Sequence, residues 1–467
     1  MIDSSRTPLR TAAAIGILAL ALAGCSSLPR ISPDLARADP GSVQFQAANG
    51  RILSPERSRA LIDKLAGSGE QSDILARHLA VEQAVAEGPL TLGNRVVLLE
   101  DGPATYAAML GTIASARDSI NMETYILDDD EAGQQFASAL MAKQAEGVQV
   151  NLIHDGVGTL GTPKAFFKRL TDAGVQVVEF NPVNPLAARA DWDVNQRDHR
   201  KLLVIDGKSA ILGGINISSV YSGGSSPGAS SGGDKKTGLP WRDTDLLIEG
   251  PVVAPLQKLF METWASQNGP PIGSRDFFPT LEPRGSEVVR AIGSDPDEPF
   301  SQIYVTLISA INSAENEILI TNAYFVPDPQ LLDALVRAVA RGVDVKLIVP
   351  STTDSSLVFH AGRSHYEPLL RDGVKLYERR EALLHAKTAV IDGVWATVGS
   401  TNLDWRSFLH NQELNAVILG PEFGEKMRAA FDRDLAASTP ITLTAWLQRP
   451  LATRAKEMFA RLWEYWL

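Results

Sequence analysis

Cysteine is all but missing from this chain, which holds one, Cys25, in 467 residues. That excludes an internal disulfide, a cysteine metal cluster and a cysteine nucleophile. Basic residues are outnumbered, 44 Lys and Arg against 55 Asp and Glu, for a formal net charge of -11. Proteins that track nucleic-acid phosphates are usually basic, so the balance argues against a general nucleic-acid binder but not against a small basic pocket. Long apolar runs are scarce too. The segment from Thr11 to Gly24 is too short to cross a bilayer as a helix, which takes about 20 residues. What is present, 44% hydrophobic and 21% charged residues, is the make-up of a globular protein long enough for two ordinary domains.

Arg6 and Arg10 precede that apolar segment, which ends in Leu22-Ala23-Gly24-Cys25, followed by Ser26 and Ser27. Residues 1–24 resemble a bacterial lipoprotein signal, whose cysteine is lipidated and becomes the mature N-terminus. The alternative is an ordinary secretory signal with a chance cysteine. On the lipoprotein reading the protein is membrane-anchored on the periplasmic side, and Ser26 favours the outer over the inner membrane of a Gram-negative cell. Residues 25–91 form an extension with helical patterning from Arg57 to Glu87, ended by Gly88-Pro89, and nothing in it reads as chemical.

Chemistry enters with HRKLLVIDG, residues 199–207. Alternate residues of a strand share a side, so His199 and Lys201 point together, ahead of a buried strand and a turn at Asp206-Gly207. A lone His beside a Lys is commonly a surface pair. Here the pattern recurs as HAKTAVIDG, residues 385–393, with His385, Lys387 and Asp392 at identical spacing. Each copy continues into a small-residue turn and an asparagine: Gly213-Gly214-Ile215-Asn216 and Gly399-Ser400-Thr401-Asn402.

The repetition extends over most of the chain. SINMETYIL (119–127) matches EILITNAYF (317–325), ALMAKQAEGVQVNLIHD (139–155) matches ALVRAVARGVDVKLIVP (334–350), and RLTDAGVQVVEF (169–180) matches LLRDGVKLYE (369–378). PWRDTDLLIEGP (240–251) matches HNQELNAVILGP (410–421). Strand–helix alternation of this kind implies two α/β domains with helices on both sheet faces, forming a pseudo-dimer within one chain. The expected bounds are 92–270 and 301–440, joined by a linker over 271–300 and followed by an amphipathic helix over 441–467. Residues 222–238 read as a Gly/Ser-rich loop without a counterpart in the second half.

Paired H-x-K-x4-D motifs in tandem α/β repeats resemble the phospholipase D superfamily. RDHRKLLVIDG, GGIN, LLHAKTAVIDG and VGSTNLDWRSFLHNQELN are most similar to bacterial cardiolipin synthases. The two N-terminal membrane spans of many such enzymes are replaced here by the lipoprotein-like signal. The resemblance implies a pseudo-twofold pair of mixed-sheet domains with the active site at their interface. It implies a phosphatidyl transferase that joins two phosphatidylglycerols into cardiolipin and glycerol through a phosphohistidine. Hydrolysis to phosphatidic acid is the alternative, and a phosphodiesterase nuclease a more distant one. His199 is then the nucleophile and His385 the acid/base, although the residues alone are nearly symmetric.

The residue types suit that chemistry. A phosphodiester needs a nucleophile, a proton donor for the leaving alkoxide, and positive charge around its oxygens. Lys201 and Lys387 supply charge, Asn216 and Asn402 supply donors, and the small Gly213, Gly214 and Gly399 admit backbone to the phosphate. No metal-ligand spacing is visible in either motif, so neither metal nor cofactor is expected. By the resemblance Asp243 and Glu413 orient the histidines, while Asp206 and Asp392, placed after an apolar strand, read as turn-holding salt bridges. The expected partners are phosphatidylglycerol and a membrane, without nucleic acid, and the expected state is a monomer.

Other residues carry less. Glu123 sits at a strand end as a structural, substrate-lining or catalytic position, and His154 and Asp155 read as packing. His78, His360, His365 and His410 read as surface or cleft-edge residues. In the tail, Leu451, Ala455, Met458, Phe459, Leu462, Trp463 and Trp466 form one helical stripe, which fits an interfacial helix and packing on the second domain equally.

Overall fold

A computed structural model describes residues 43–66, 70–86, 88–184, 195–224 and 238–467, with Leu28 and Asp193. Cys25, the lipoprotein-like segment and most of the Gly/Ser-rich stretch lie outside the described residues. From Val43 onward the described residues form one compact unit.

The sequence repeat appears as a repeat of sheet order. In the first half the neighbours run Gln176–Phe180, Gln149–Asp155, Ser119–Thr124, Leu202–Ile205, Ser209–Gly213, Thr244–Glu249 and Leu90–Glu100. In the second they run Lys375–Arg379, Asp344–Pro350, Glu317–Asn322, Lys387–Ile391, Trp395–Gly399, Asn411–Leu419 and Glu287–Ser294. The first three strands of each set are parallel and the remainder antiparallel. Helices followed by a left-handed glycine feed the parallel strands: Gly147 after Glu131–Ala145 and Gly342 after Pro329–Ala340 have φ of 91° and 95°. An αL residue there closes the helix without the Cβ penalty other residues would meet.

Strand Glu287–Ser294 lies inside the segment expected to be a linker. It pairs with Asn411–Leu419 on one side and with Leu90–Glu100 on the other, so the two sheets are continuous. Its repeat partner is Leu90–Glu100. The match escapes the sequence because VVRAI and RVVLL are generic apolar strands without a motif.

Each motif strand is buried on both faces. Leu203 and Ile205 meet Ile113, Phe136 and Leu140 from helices Asp101–Ser115 and Glu131–Ala145. Leu202 and Val204 face a second core holding Phe260 and Trp264 of helix Val253–Ser266. That second core also takes Val390, Val398 and Ala416 of the other half, with Phe423 and Met427 of helix Pro421–Ala436, so it is shared between the halves.

The extension is not a separate appendage. Helix Glu70–Val85 sits against the second half, where Glu82 accepts from Arg290 and from Trp395 Nε1 at 3.1 Å. His78 Nε2 lies 3.0 Å from Asp392, so this histidine is buried rather than superficial. The tail is broken by Pro450 into helices Leu443–Leu447 and Leu451–Arg461 and a 3-10 turn, Glu464–Trp466, in place of one continuous helix. No helix among the described residues is long and apolar enough to cross a membrane.

Candidate active site

The two halves exchange short strands at the site. Arg197–Asp198, just before His199, pairs in parallel with Asn411–Gln412, and Leu383–Leu384, just before His385, pairs with Trp241–Arg242. The His199 backbone N–H donates to Gln412 O at 2.9 Å, and that of His385 to Arg242 O at 2.8 Å. Each histidine is therefore fixed by main chain from the opposite half.

The carboxylates cross over as well. His199 Nδ1 lies 3.0 Å from both oxygens of Glu413. His385 Nδ1 lies 2.6 Å from Asp243 Oδ2. With Nδ1 engaged in each ring, Nε2 is the nitrogen left for chemistry. Both carboxylates are themselves held: Ser400 Oγ donates to Glu413 at 2.5 Å, and the Thr244 N–H to Asp243 at 2.8 Å. Both histidines line one open cavity of about 980 Å³, counting solvent at its mouth. Asn216 and Asn402 line it too, with Tyr125, Tyr324, Trp241, Asp354, Arg406 and Trp466.

Burial dominates the electrostatics. It lowers His199 to about 4 against the opposing pull of Glu413, and it lowers His385, helped by the charge of Lys387. Both rings are thus neutral at pH 7 before an anion arrives, the state a nucleophile needs. Glu413 lies below the ordinary carboxylate range: burial pushes it up, but His199, Lys201 and the Ser400 hydroxyl outweigh that. Lys201 falls to about 7 and Lys387 also falls, again through burial. Neither lysine lines the cavity; both are buried beside the histidines, where a negative charge in the cavity would stabilise their ammonium form. Lys201 Nζ donates to His199 O at 2.5 Å and stands 5.2 Å from the Tyr125 ring, while Lys387 Nζ lies 2.8 Å from His385 Nδ1.

Other expected site residues have different places. Asp206 and Asp392 sit at the far end of the motif strands, in Asp-Gly hairpin turns with φ of 53° at both. In place of the expected salt bridge, Asp206 accepts from the consecutive backbone N–H groups of Arg117, Asp118 and Ser119. Asp392 accepts from those of Glu315, Asn316 and Glu317, with His78 added. They anchor the strand and do not line the cavity. The glycines differ too. A Cβ on Gly214 would stand 2.2 Å from Asp243 Oδ1, on Gly213 2.1 Å from Asp245 Oδ1, and on Gly399 2.1 Å from Asn415 Oδ1. Their smallness makes room for the following strand's side chains rather than for phosphate. Asn216 is braced, accepting from the Ile126 N–H at 3.0 Å and donating to Tyr221 OH at 3.1 Å, whereas Asn402 Oδ1 has no partner among the described residues.

Glu123 is fully buried away from the cavity, raised by burial beside Arg200 and Asp198. His154 stacks on Phe167 at 3.9 Å and bonds Thr159, a packing role. Asp155 accepts the Asp198 N–H at 3.0 Å and so sets the backbone just before His199. His365 is buried against Glu464, and His410 stacks over Trp466 at the cavity edge. Residues not singled out by sequence include Tyr221, 3.3 Å from His385 Nδ1, and Trp241, 5.0 Å from the same ring. Tyr125 stands edge-on to His199 at 5.1 Å, and Tyr324 to His385 at 6.4 Å. Both lie just past matched strand ends, in METYI and TNAYF, but one residue out of register with each other.

Comparison with known proteins agrees with this geometry. The family model described as cardiolipin synthase, PLD-like domain matches residues 109–221 and 307–435, one match per motif. A cardiolipin synthase of Geobacillus thermodenitrificans is 34% identical over 410 residues, 87% of this chain and 78% of its own length. The major cardiolipin synthase of Bacillus subtilis is 36% identical over 376 residues, 80% of this chain and 75% of its own. The crystal structure of a phosphatidylserine synthase from Haemophilus influenzae superposes with a TM-score of 0.61 at 14% identity, covering 84% of this chain and all of that one, which shows the fold. With the family domain matched twice and relatives at this identity over most of both chains, the protein belongs to the cardiolipin synthase family of phospholipase D-like proteins.

Proposed function

We propose that the protein joins two phosphatidylglycerols into cardiolipin, releasing glycerol. The observation that carries this is the crossed pair, in which each histidine faces one cavity on a carboxylate from the opposite half. His199 Nε2 attacks phosphorus of the first lipid, and the bond to the headgroup glycerol oxygen breaks as His385 delivers its proton there. The bound phosphodiester supplies the negative charge that favours a protonated His385 at that moment. His385 then takes the proton of a second phosphatidylglycerol's terminal hydroxyl, whose oxygen attacks phosphorus and breaks the P–N bond. Lys201 and Lys387 offset charge on the phosphoryl oxygens throughout. Assignment of His199 as nucleophile follows the family.

Membrane attachment through Cys25, on the periplasmic side and favouring the outer membrane, belongs to the same reading and is supported by the LAGC segment. Replacing Cys25 with Ser should leave the protein unprocessed or release it; unchanged processing and fractionation would refute attachment there. The activity is tested by product analysis on phosphatidylglycerol vesicles. Cardiolipin and free glycerol should appear together, with phosphatidic acid minor and excess glycerol reversing the reaction. Lipid held at a surface presents its hydroxyl at high local concentration, which lets it compete with water. Phosphatidic acid dominating at every lipid density, with no cardiolipin, would make the enzyme a hydrolase.

A further inference from the structure

The C-terminal helix Leu451–Arg461 is packed the wrong way round for a soluble protein. Its buried positions are Glu457 and Ala460, each 2% exposed. Its large apolar side chains face out: Leu451 is 80% exposed, Met458 70%, Phe459 60%, Leu462 77% and Trp463 49%. The inward polarity is satisfied, since Glu457 lies 3.4 Å from Arg363 Nε and 2.9 Å from Arg449 Nε. The outward apolar face is therefore a consequence of how the tail is fastened. A contiguous apolar patch of this kind marks a surface that meets another phase or molecule.

Its position says which. Ala460 packs on Val358 and Ala361 of helix Ser356–Arg363, and Val358 lines the catalytic cavity. Trp466 and Leu467, at the end of the tail, line it too. Exposed Leu357 adjoins Val358 on the same helix, and exposed Val157 and Leu160 come from the first half, in a loop whose Gly158 packs on the Tyr125 backbone at the cavity. Lys456 and Arg461 are exposed on the tail helix among the apolar side chains. Apolar residues with tryptophan at the rim and basic residues between them are the composition of a helix lying in the interface of an anionic bilayer.

We propose that the outward face of Leu451–Arg461, with Leu462 and Trp463, is an in-plane docking surface for anionic phospholipid bilayers that sets the cavity mouth at the headgroup layer. The inference rests on the lipid substrate proposed above and names how that substrate is met.

The test uses the full chain and a Met458→Gln/Phe459→Gln/Leu462→Gln variant, whose changes are at exposed positions outside the cavity. Vesicles of phosphatidylglycerol brominated on the acyl chains should quench tryptophan emission of the parent. Quenching should fall in Trp463→Phe and shift to at least about tenfold higher lipid in the triple variant. The parent and all variants carry Cys25→Ser so that lipidation does not hold them on the vesicle, and the difference from Trp463→Phe isolates that residue among the eight tryptophans. Lys456→Glu/Arg461→Glu should weaken quenching by phosphatidylglycerol vesicles but not by phosphatidylcholine ones. Turnover of dispersed short-chain phosphatidylglycerol should be unchanged in the triple variant, while turnover in vesicles falls. Equal quenching and vesicle turnover in parent and triple variant would overturn the proposal. So would loss of short-chain and vesicle turnover together, which would make the tail a prop of the site, or a lipid-free dimer that the triple variant breaks. A parent inactive on every phospholipid but quenched by vesicles would refute the substrate and leave the docking surface standing.

Discussion

Asp245 shows how one carboxyl can set a pH dependence. It is fully buried beside Asp243, and burial, with that neighbouring charge, raises it to about 8. Its repeat partner is Asn415, whose Oδ1 accepts from the Thr401 N–H as Asp245 Oδ1 accepts from the Ile215 N–H. An unfolded aspartate ionises near 4, so between about pH 4 and pH 8 the native state holds a proton that the unfolded state has lost. The site therefore lowers stability as pH rises through that window, by up to about 1.4 kcal/mol per pH unit, and levels off above it. Asp245→Asn copies the second half and removes the titration. Denaturant unfolding across pH 5 to 9 should show the variant gaining on the parent up to about pH 8, whatever constant offset the amide brings. A difference that stays flat with pH would mean Asp245 is already ionised when buried.

The crossed carboxylates give a second prediction at this scale. Glu413→Gln keeps shape but loses the charge that fixes His199 Nδ1, and a comparable change in a triad costs about 10⁴ in turnover. Turnover should fall by roughly 10² to 10⁴ with unchanged thermal unfolding. The double variant with His199→Ala should be scarcely worse than His199→Ala alone, since the pair acts as a unit. Additive losses would place Glu413 in some other role. Pairing of Glu413 with the first-half histidine, and of Asp243 with the second, is not legible in the sequence, because matched positions in a repeat say nothing about which half each side chain faces.

At the scale of elements, the repeat made the two motif strands, the parallel strands beside them and the helix–glycine turns legible. The period-2 apolar pattern and the αL glycines are local signals. Strand Glu287–Ser294 was not, because an apolar run carries no record of its partners. Nor was the seat of helix Glu70–Val85, whose Glu82 and His78 look ordinary until Arg290, Trp395 and Asp392 surround them. Burial pushes Glu82 up and Arg290 pulls it back, so the pair is held at the cost of desolvation. Glu82→Ala leaves Arg290 buried without its carboxylate, a change worth about 3 to 5 kcal/mol. The melting temperature should drop by several degrees, and limited proteolysis should release the segment ahead of Leu90. An unchanged melting temperature would show that apolar packing alone seats the helix.

At the scale of the whole molecule, the short strands Arg197–Asp198 and Trp241–Arg242, each paired with the opposite half, make two domains into one site. His199→Ala and His385→Ala should each abolish nearly all turnover, because nucleophile and proton donor are both required in each half-reaction. The continuous sheet through Leu90–Glu100 and Glu287–Ser294 joins the two halves within one chain. Mixing the two single variants should therefore restore nothing at any concentration, whereas two half-sites contributed by separate chains would complement to a fraction of parental activity. Light scattering of the mixture, read alongside turnover, identifies the cause. Recovery of activity that grows with concentration and tracks dimer formation would show that the halves exchange between chains, and that the site is not built within one.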